Sequence, residues 1–310
     1  MTIAVTGASG NYGAAAVRGL LEQVPSEDLI LISRSPARLG HFAELGCQVR
    51  RGDFDDRASM AEALRGAERM LLISTGRVGK RLPQHGNAIA AAVEAGVRHI
   101  VYTSFVGIAD DNPALVIRDH GGTEAMLRES GVAWTALRDS QYADAMTDVA
   151  GPLALSTGIW RSSTGEGRIA FVTREDCVAA AVAALTSDGH ENRVYNITGP
   201  ELLRFQDVAE ILSNIAGKPI AYESVSSDEM YAMFDAMGVP REAVDDLVVE
   251  RFAWSSEDMV SFEAAIRAGF FAVISNDFEQ LTGREPESFR HFAERRQDML
   301  RSAAFPAEAA

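Results

Sequence analysis

Apolar positions come in blocks along the first half of the chain, at residues 3–6, 29–33, 47–50, 69–74, 97–104 and 132–137. Each block gives way to a stretch of helical composition. Blocks this short, rich in Val and Ile and without polar alternation, predict strands covered on both faces, and therefore a parallel sheet. The intervening segments predict a helix from residue 14 to 21, a short one closing at 46, and one around 60–64 capped by Asp56 or Ser59. Two more are predicted over 85–95, ended by Gly96, and over 121–130, stopped by Gly131. Beyond residue 141 the regularity loosens. Helices are predicted over 175–185, 205–215, 227–237 and 262–268, with strands over 194–197 and 220–225. A charged segment over 286–300 closes the fold ahead of ten frayed residues. The fold class is α/β: a Rossmann-type parallel sheet with helices on both faces and a smaller, mostly helical C-terminal portion.

Composition narrows the partners more than the fold. The 310 residues are 47% hydrophobic, enough for a large core, and carry a formal charge of −15. A phosphate backbone or an anionic bilayer calls for a dense basic footprint, so no nucleic acid and no membrane partner is expected. Cys47 and Cys177 lie far apart and outside any ligand spacing, which predicts no disulfide framework and no metal site. No uncharged apolar run reaches eighteen residues and no targeting segment precedes the first strand, so a cytoplasmic protein is expected.

Candidate chemistry begins at the first strand-to-helix turn, Gly7-Ala-Ser-Gly-Asn-Tyr-Gly13. Strand, glycine turn and helix start together suit a dinucleotide pyrophosphate. Gly7 permits the tight turn, Gly10 a close approach of phosphate, and Gly13 the packing of helix on sheet, with Ser9, Asn11 and Tyr12 between them. A bare turn with no ligand is the alternative. The second strand ends at Ser33-Arg34, where a site for NAD would commonly place a carboxylate on the ribose diol. Arg34, with Ser33 and Arg38 beside it, suits a 2′-phosphate and predicts NADP(H), with NADPH preferred. Asp53 and Phe54 follow the third strand and fit the adenine, though Asp55 in the same turn equally reads as a helix cap. Ser74 and Thr75 end the fourth strand beside the cofactor path. Arg77, Lys80 and Arg81 then face either phosphate, an anionic substrate or solvent. Thr103 and Ser104 end the fifth strand, where Ser104 can reach a substrate carbonyl or the nicotinamide ribose. The Tyr and Lys, four apart, that would normally activate such a serine are absent, leaving His120 as the nearby group titrating close to neutrality. His120 either supplies a proton or pairs locally with Glu124 four residues on. Tyr142, after the sixth strand, either donates a proton or stacks on a ring. On this reading residues 1–150 form the NADP(H)-binding core. Residues 151–310 hold the last sheet elements, at about 165–200, and a smaller domain covering the substrate.

These residues resemble a known family. Segments 6–13, 33–34, 120–124, 130–138, 174–181 and 281–286 are similar to the NmrA-like branch of the atypical short-chain dehydrogenase/reductases, most of all to its NAD(P)H:quinone oxidoreductase and triphenylmethane reductase group. The resemblance implies an extended Rossmann domain with a small C-terminal domain and NADP(H) at the glycine turn. It places residues Thr75, Ser104, Phe105, His120 and Tyr142 beside the nicotinamide or the substrate. One departure is local: the family commonly reads Leu-Arg-Asn-Gly where this chain has Leu137-Arg-Asp-Ser140. The implied activity is NADPH-dependent reduction of a quinone or related flat aromatic compound by direct hydride transfer, with Ser104, His120 and Tyr142 as candidate donors. Two alternatives remain open, an NADP(H)-binding redox-sensing regulator and an enzyme of an aromatic polyketide pathway. A homodimer is among the assemblies open to it.

Overall fold

The computed structural model describes residues 1–243 and 254–305. In chain order it contains β1 (Ile3–Val5), α1 (Asn11–Leu21), β2 (Leu29–Ser33), α2 (Gly40–Glu44), β3 (Gln48–Arg51), α3 (Arg57–Ala63), β4 (Arg69–Leu72), α4 (Arg81–Ala95) and β5 (His99–Phe105). There follow α5 (Leu115–Glu129), β6 (Ala133–Asp139), α6 (Ala143–Ala145), α7 (Gly151–Thr157), β7 (Ile159–Ser162), α8 (Arg174–Thr186) and β8 (Arg193–Ile197). The last elements are α9 (Phe205–Ala216), β9 (Ala221–Ser224), α10 (Ser227–Ala236), α11 (Ser256–Arg267), α12 (Asp277–Thr282), α13 (Phe289–Glu294) and α14 (Gln297–Ala304).

Seven strands make one sheet in the order β3-β2-β1-β4-β5-β6-β8, every neighbouring pair parallel. The order reverses direction between β1 and β4, so the loops leaving their carboxyl ends diverge and open a crevice. The central strands are buried on both faces, which is why they read as unbroken apolar runs. Ile3, Val5, Leu29 and Leu31 pack under α1 and α8 on one face. Ala4, Ile30, Ile32 and Met70 pack under α3 and α4 on the other. A third core, around Trp160, Phe171, Phe205, Phe271 and Phe292, unites the C-terminal helices with the end of β5 and the segment that follows β6.

Element boundaries shift where side-chain pattern and tertiary fit disagree. The helix predicted from residue 121 begins at Leu115, with Gly121 and Gly122 inside it. A Cβ on Gly122 would lie 2.6 Å from Leu82 Cδ2 of α4, so the exposed Leu82 side chain rests on the space that the glycine leaves. Likewise α11 starts at Ser256 with Ser255 as its cap, six residues ahead of the predicted start at 262. The strand predicted over 220–225 appears as β9, but it pairs with β7, a strand the pattern did not reveal, in a separate two-stranded sheet. The charged segment after 286 forms α13 and α14. Of the ten residues expected to fray, Arg301 to Ala304 are helical and 306–310 lie outside the described residues.

Candidate functional site

The glycine turn is folded tightly onto itself at the end of β1. Gly7 adopts φ +60°, a conformation that costs a residue with a Cβ about 1–2 kcal/mol, and its carbonyl accepts from Gly10 N at 2.9 Å. A Cβ on Gly13 would lie 2.4 Å from Gly7 O and 2.8 Å from Ala8 Cα, so the first turn of α1 can approach the loop only with glycine there. Gly10 stands as the N-cap of α1 with no side chain over the helix end. The exposed backbone N–H groups and the positive end of the helix dipole are thereby left facing the crevice.

A cleft of about 360 Å³ runs from this turn across the ends of β2, β3 and β4. Ten of the residues predicted to bind the cofactor line it, Gly7, Ser9, Gly10, Ser33, Arg34, Arg38, Asp53, Phe54, Ser74 and Thr75, together with Arg77. Ser9 and Ser33 share a 2.8 Å hydroxyl hydrogen bond, and Ser33 Oγ also accepts from Ser35 N at 3.0 Å, which shapes the turn that carries Arg34. Asp53 Oδ1 accepts from Asp55 N at 3.1 Å, while Asp56, not Asp55, caps α3 by accepting from Ser59 N. Two buried acceptors on the cleft wall, Thr75 Oγ1 and Gln84 Oε1, have no hydrogen-bond partner among the described residues. Orphaned polar atoms, a glycine-built approach and two arginines at the β2 edge are a wall suited to a polar, phosphorylated dinucleotide.

Five predicted cofactor residues stand outside that wall, one of them, Ser104, in the second cavity described below. Asn11 opens α1 and Gly13 packs within it. Tyr12 turns into the core, where its hydroxyl donates to Cys177 O at 2.9 Å. Thr103 lies one layer behind, accepting from Ser74 N at 2.9 Å and so fixing Ser74. His85 carried no signal in the sequence, yet it ties the cleft to α5. Its Nε2 accepts from Thr75 N at 3.1 Å, and Nδ1–H therefore faces Thr123 Oγ1 at 2.8 Å. Burial and the charge of Arg81 hold that imidazole neutral, its pKa lowered to about 3.

A second cavity, about 270 Å³, adjoins the first and shares Ser74 with it. Phe105, Val116, Met259 and Phe262 give it apolar walls, and Arg81, Ser104, His120, Ser140, Gln141, Tyr142 and Asp258 give it polar ones. Ser104, His120 and Tyr142 thus meet in one cavity, and each has a defined partner. Ser104 Oγ donates to Glu124 Oε1 at 2.7 Å. Glu124 also takes Arg128 and Arg138, so the local His120–Glu124 pair weighed from the sequence does not form. Arg81 Nη1 can only donate, so at 3.0 Å His120 Nε2 is the acceptor and Nδ1–H points to Tyr102 Oη at 2.8 Å. Burial first, then the charges of Arg81 and His85, keeps His120 well below its ordinary pKa and therefore neutral. Tyr142 donates to Asp139 Oδ2 at 3.0 Å. Arg81 is nine-tenths buried, with Nε unpartnered among the described residues, and it faces Asp258, whose carboxyl burial raises to about 6. Of the basic residues that the sequence leaves between phosphate, an anionic substrate and solvent, Arg77 lines the first cleft and Arg81 the second cavity. Asp258, Met259 and Phe262 come from α11 and were missed, because nothing in their spacing refers to residues so distant in the chain. Among the described residues no cluster of His, Cys, Asp or Glu could hold a metal ion, and no helix is long and apolar enough to cross a membrane.

Residues 7–188 match the NAD(P)H-binding family. Quinone oxidoreductase 2 of Escherichia coli is 38% identical over 79% of this chain and 85% of its own length. The structure of an NADPH-dependent quinone oxidoreductase from that organism, complexed with NADPH, matches with a TM-score of 0.86 at 32% identity, over 95% of this chain and 99% of its own. Citrobacter sp. triphenylmethane reductase complexed with NADP(H) matches with a TM-score of 0.82 at 30% identity, over 96% of this chain and 100% of its own. An NmrA-like family domain-containing oxidoreductase of Aspergillus flavus is 30% identical over 74% of this chain and 76% of its own length.

Proposed function

We propose a function from one premise: the chain belongs to the NAD(P)H-binding family, within its NmrA-like branch of atypical short-chain dehydrogenase/reductases. It is an NAD(P)H-dependent oxidoreductase, and its reaction is the NADPH-dependent reduction of a quinone or related flat aromatic compound. The observation that carries this reading is the junction at Ser74, where an arginine-edged cleft with a glycine turn meets an apolar-walled cavity.

In that assignment Gly7, Ser9 and Gly10 receive the pyrophosphate at the start of α1, while Asn11, Tyr12 and Gly13 shape that start. Arg34, with Ser33 and Arg38, holds a 2′-phosphate in place of the ribose diol's carboxylate. Asp53 and Phe54 border the adenine. Ser74, Thr75 and Ser104 meet the nicotinamide ribose, with Thr103 acting through Ser74. When bound, the reduced cofactor supplies a hydride to the acceptor. The chain orients a flat ring against the wall that Phe105 and Phe262 form by packing edge to face at 5.7 Å, excludes water with Val116 and Met259, and meets the oxyanion that develops on the acceptor. The permanent charge of Arg81 suits that last task, and so does Tyr142, whose partner Asp139 has no cation bonded to it among the described residues; Ser104 gives its proton to the arginine-paired Glu124, and His120 is neutral and doubly bonded.

Calorimetry with NADPH against NADH, followed by NADPH oxidation across a panel of benzoquinones and naphthoquinones, tests the reading. Preference for NADPH and turnover of simple quinones are expected. Tight NADPH binding with no turnover anywhere in the panel would refute the reductase assignment and favour a cofactor-sensing role.

A further inference from the structure

Behind Tyr142, one layer back from the lining of the second cavity, lies a carboxyl group with no use in the assignment above. Asp139 ends β6, is buried, and has an Oδ1 atom with no hydrogen-bond partner among the described residues. Its Oδ2 lies 3.0 Å from the Tyr142 hydroxyl, and the buried Cys177 thiol is a neighbour of the same carboxyl. Ser140, next in the chain, lines the cavity with a buried hydroxyl that is also unpartnered among the described residues. The charged groups nearby are engaged elsewhere. Arg174 of α8 lies over the Tyr142 ring at 5.7 Å and pairs with Asp144 at 3.3 Å. Asp176 accepts from Glu287 N at 2.9 Å and pairs with Arg284 at 2.6 Å. Tyr12 of α1 packs against Tyr142 at 6.5 Å between ring centroids, its hydroxyl already given to Cys177 O. A carboxylate here has acidic and weakly acidic neighbours and no cation bonded to it among the described residues.

We propose that Tyr142 is the proton donor to the reduced acceptor and that Asp139, in its acid form, is the reservoir that reprotonates it. The proposal rests on the reductase reading. Hydride addition leaves a quinone as the hydroquinone monoanion. With Asp139 in its acid form the 3.0 Å hydrogen bond reverses, Oδ2–H donating to the Tyr142 oxygen and freeing the Tyr142 O–H for the acceptor. That O–H bond then breaks as a new O–H bond forms on the anion, and the proton on Asp139 Oδ2 follows to the Tyr142 oxygen. The carboxylate left behind takes a proton from solvent before the next turnover. Acceptor, hydride and one proton sum to the hydroquinone. Tyr142 alone is a poor donor, because burial and the neighbouring Asp139 hold its hydroxyl well above the ordinary tyrosine pKa. Coupling it to Asp139 moves the resulting charge onto a carboxyl. Burial has raised that carboxyl to about 7, against the opposing effect of its neighbours Tyr142 and Cys177, so it carries its proton up to neutrality.

The test is the pH dependence of kcat for NADPH with a naphthoquinone, over roughly pH 5.5 to 9.5, in wild type, Asp139→Asn and Tyr142→Phe. The wild-type rate should fall about tenfold per unit above neutrality as the acid form is lost. Asp139→Asn, which keeps the shape but has no proton to give, should be about 100-fold slower near pH 6 and flat, so the two curves converge on the alkaline side. Tyr142→Phe should be slow throughout and lose the alkaline limb as well. A constant gap across the pH range, or an unchanged limb in Asp139→Asn, would mark the carboxyl as structural and overturn the relay while leaving the reductase reading intact. No NADPH oxidation by wild type with any quinone would sink both. Should Asp139→Asn fail to fold, carboxyl carbon NMR of the wild-type protein decides the matter. Asp139 titrating near neutrality supports the relay, and Asp139 ionised down to about pH 5 refutes it.

Discussion

Glu124 offers the sharpest quantitative prediction, because its side chain is fully buried and four donors converge on it. Ser104 Oγ and Arg138 Nε reach Oε1 at 2.7 and 2.9 Å, and Arg128 Nη2 and Arg138 Nη2 reach Oε2 at 2.7 Å each. Replacing it with glutamine keeps the size but offers one acceptor oxygen and an N–H₂ group that opposes the remaining donors. With the N–H₂ group at the Oε2 position both arginine Nη2 bonds are lost; at the Oε1 position the Arg138 Nε bond is lost and Ser104 must reverse to accept from the amide. Charged hydrogen bonds contribute about 1.5–3 kcal/mol each, but Arg128 and Arg138 are 46% and 21% exposed and regain water when released. The net loss for Glu124→Gln is then about 2–3 kcal/mol, or roughly 5 °C in Tm for a chain of this size. Urea unfolding and a thermal melt near neutral pH measure it. Burial pushes the Glu124 carboxyl up, and the Arg138 and Ser104 hydrogen bonds with the Arg138 charge override it to leave the pKa lowered. A depressed folded pKa contributes stability that is present above the unfolded value and lost as pH falls through the folded one. The gap between wild type and variant should accordingly close below about pH 4. A gap under about 1 kcal/mol near neutrality, or one that widens toward acid, would refute the account.

The other predictions concern the cofactor cleft and its neighbours. Arg34→Ala should weaken NADPH binding by about 1.5–3 kcal/mol in calorimetry and leave NADH nearly untouched; equal losses for both would remove Arg34 from the 2′-phosphate. Gly13→Ala forces a Cβ to within 2.4 Å of Gly7 O, so α1 must shift, lowering stability by about 1–3 kcal/mol and weakening NADPH as well; a variant with wild-type Tm would show that the turn yields freely. Neither His85 nor His120 should titrate between about pH 5 and 8 by ring NMR, since burial and Arg81 hold both neutral; a proton taken up by His120 near neutrality would return it to the list of donors.

What the sequence makes legible is whatever hangs from the carboxyl ends of the strands. Ser33, Arg34, Asp53, Ser74 and Ser104 can be placed from strand pattern alone, because a parallel sheet delivers each of those ends to the same edge. Residues whose position depends on packing between distant segments carry no such signal. Asp258 and Phe262 reach the second cavity only because α11 lies against α5, and Arg81 joins them through the first turn of α4. Tyr12 sits in the middle of the glycine motif, yet helical phase turns it into the core. Asp139 is visible in the sequence only as a change of polarity; its isolation from any counter-ion becomes apparent once α1 and α8 close over it.

The two-stranded pairing of β7 with β9 has a consequence for how the molecule comes apart. Between those strands the chain goes back to the main sheet, laying α8 beside α1 and β8 along the edge of β6. The C-terminal part is thus interleaved with the sheet rather than appended to it. A fragment stopping near residue 150 would leave β6 as a bare edge and strip Val178, Ala181 and Leu185 from the core beneath α1. The chain should therefore unfold in a single cooperative transition, and no excised N-terminal half should bind cofactor in its place.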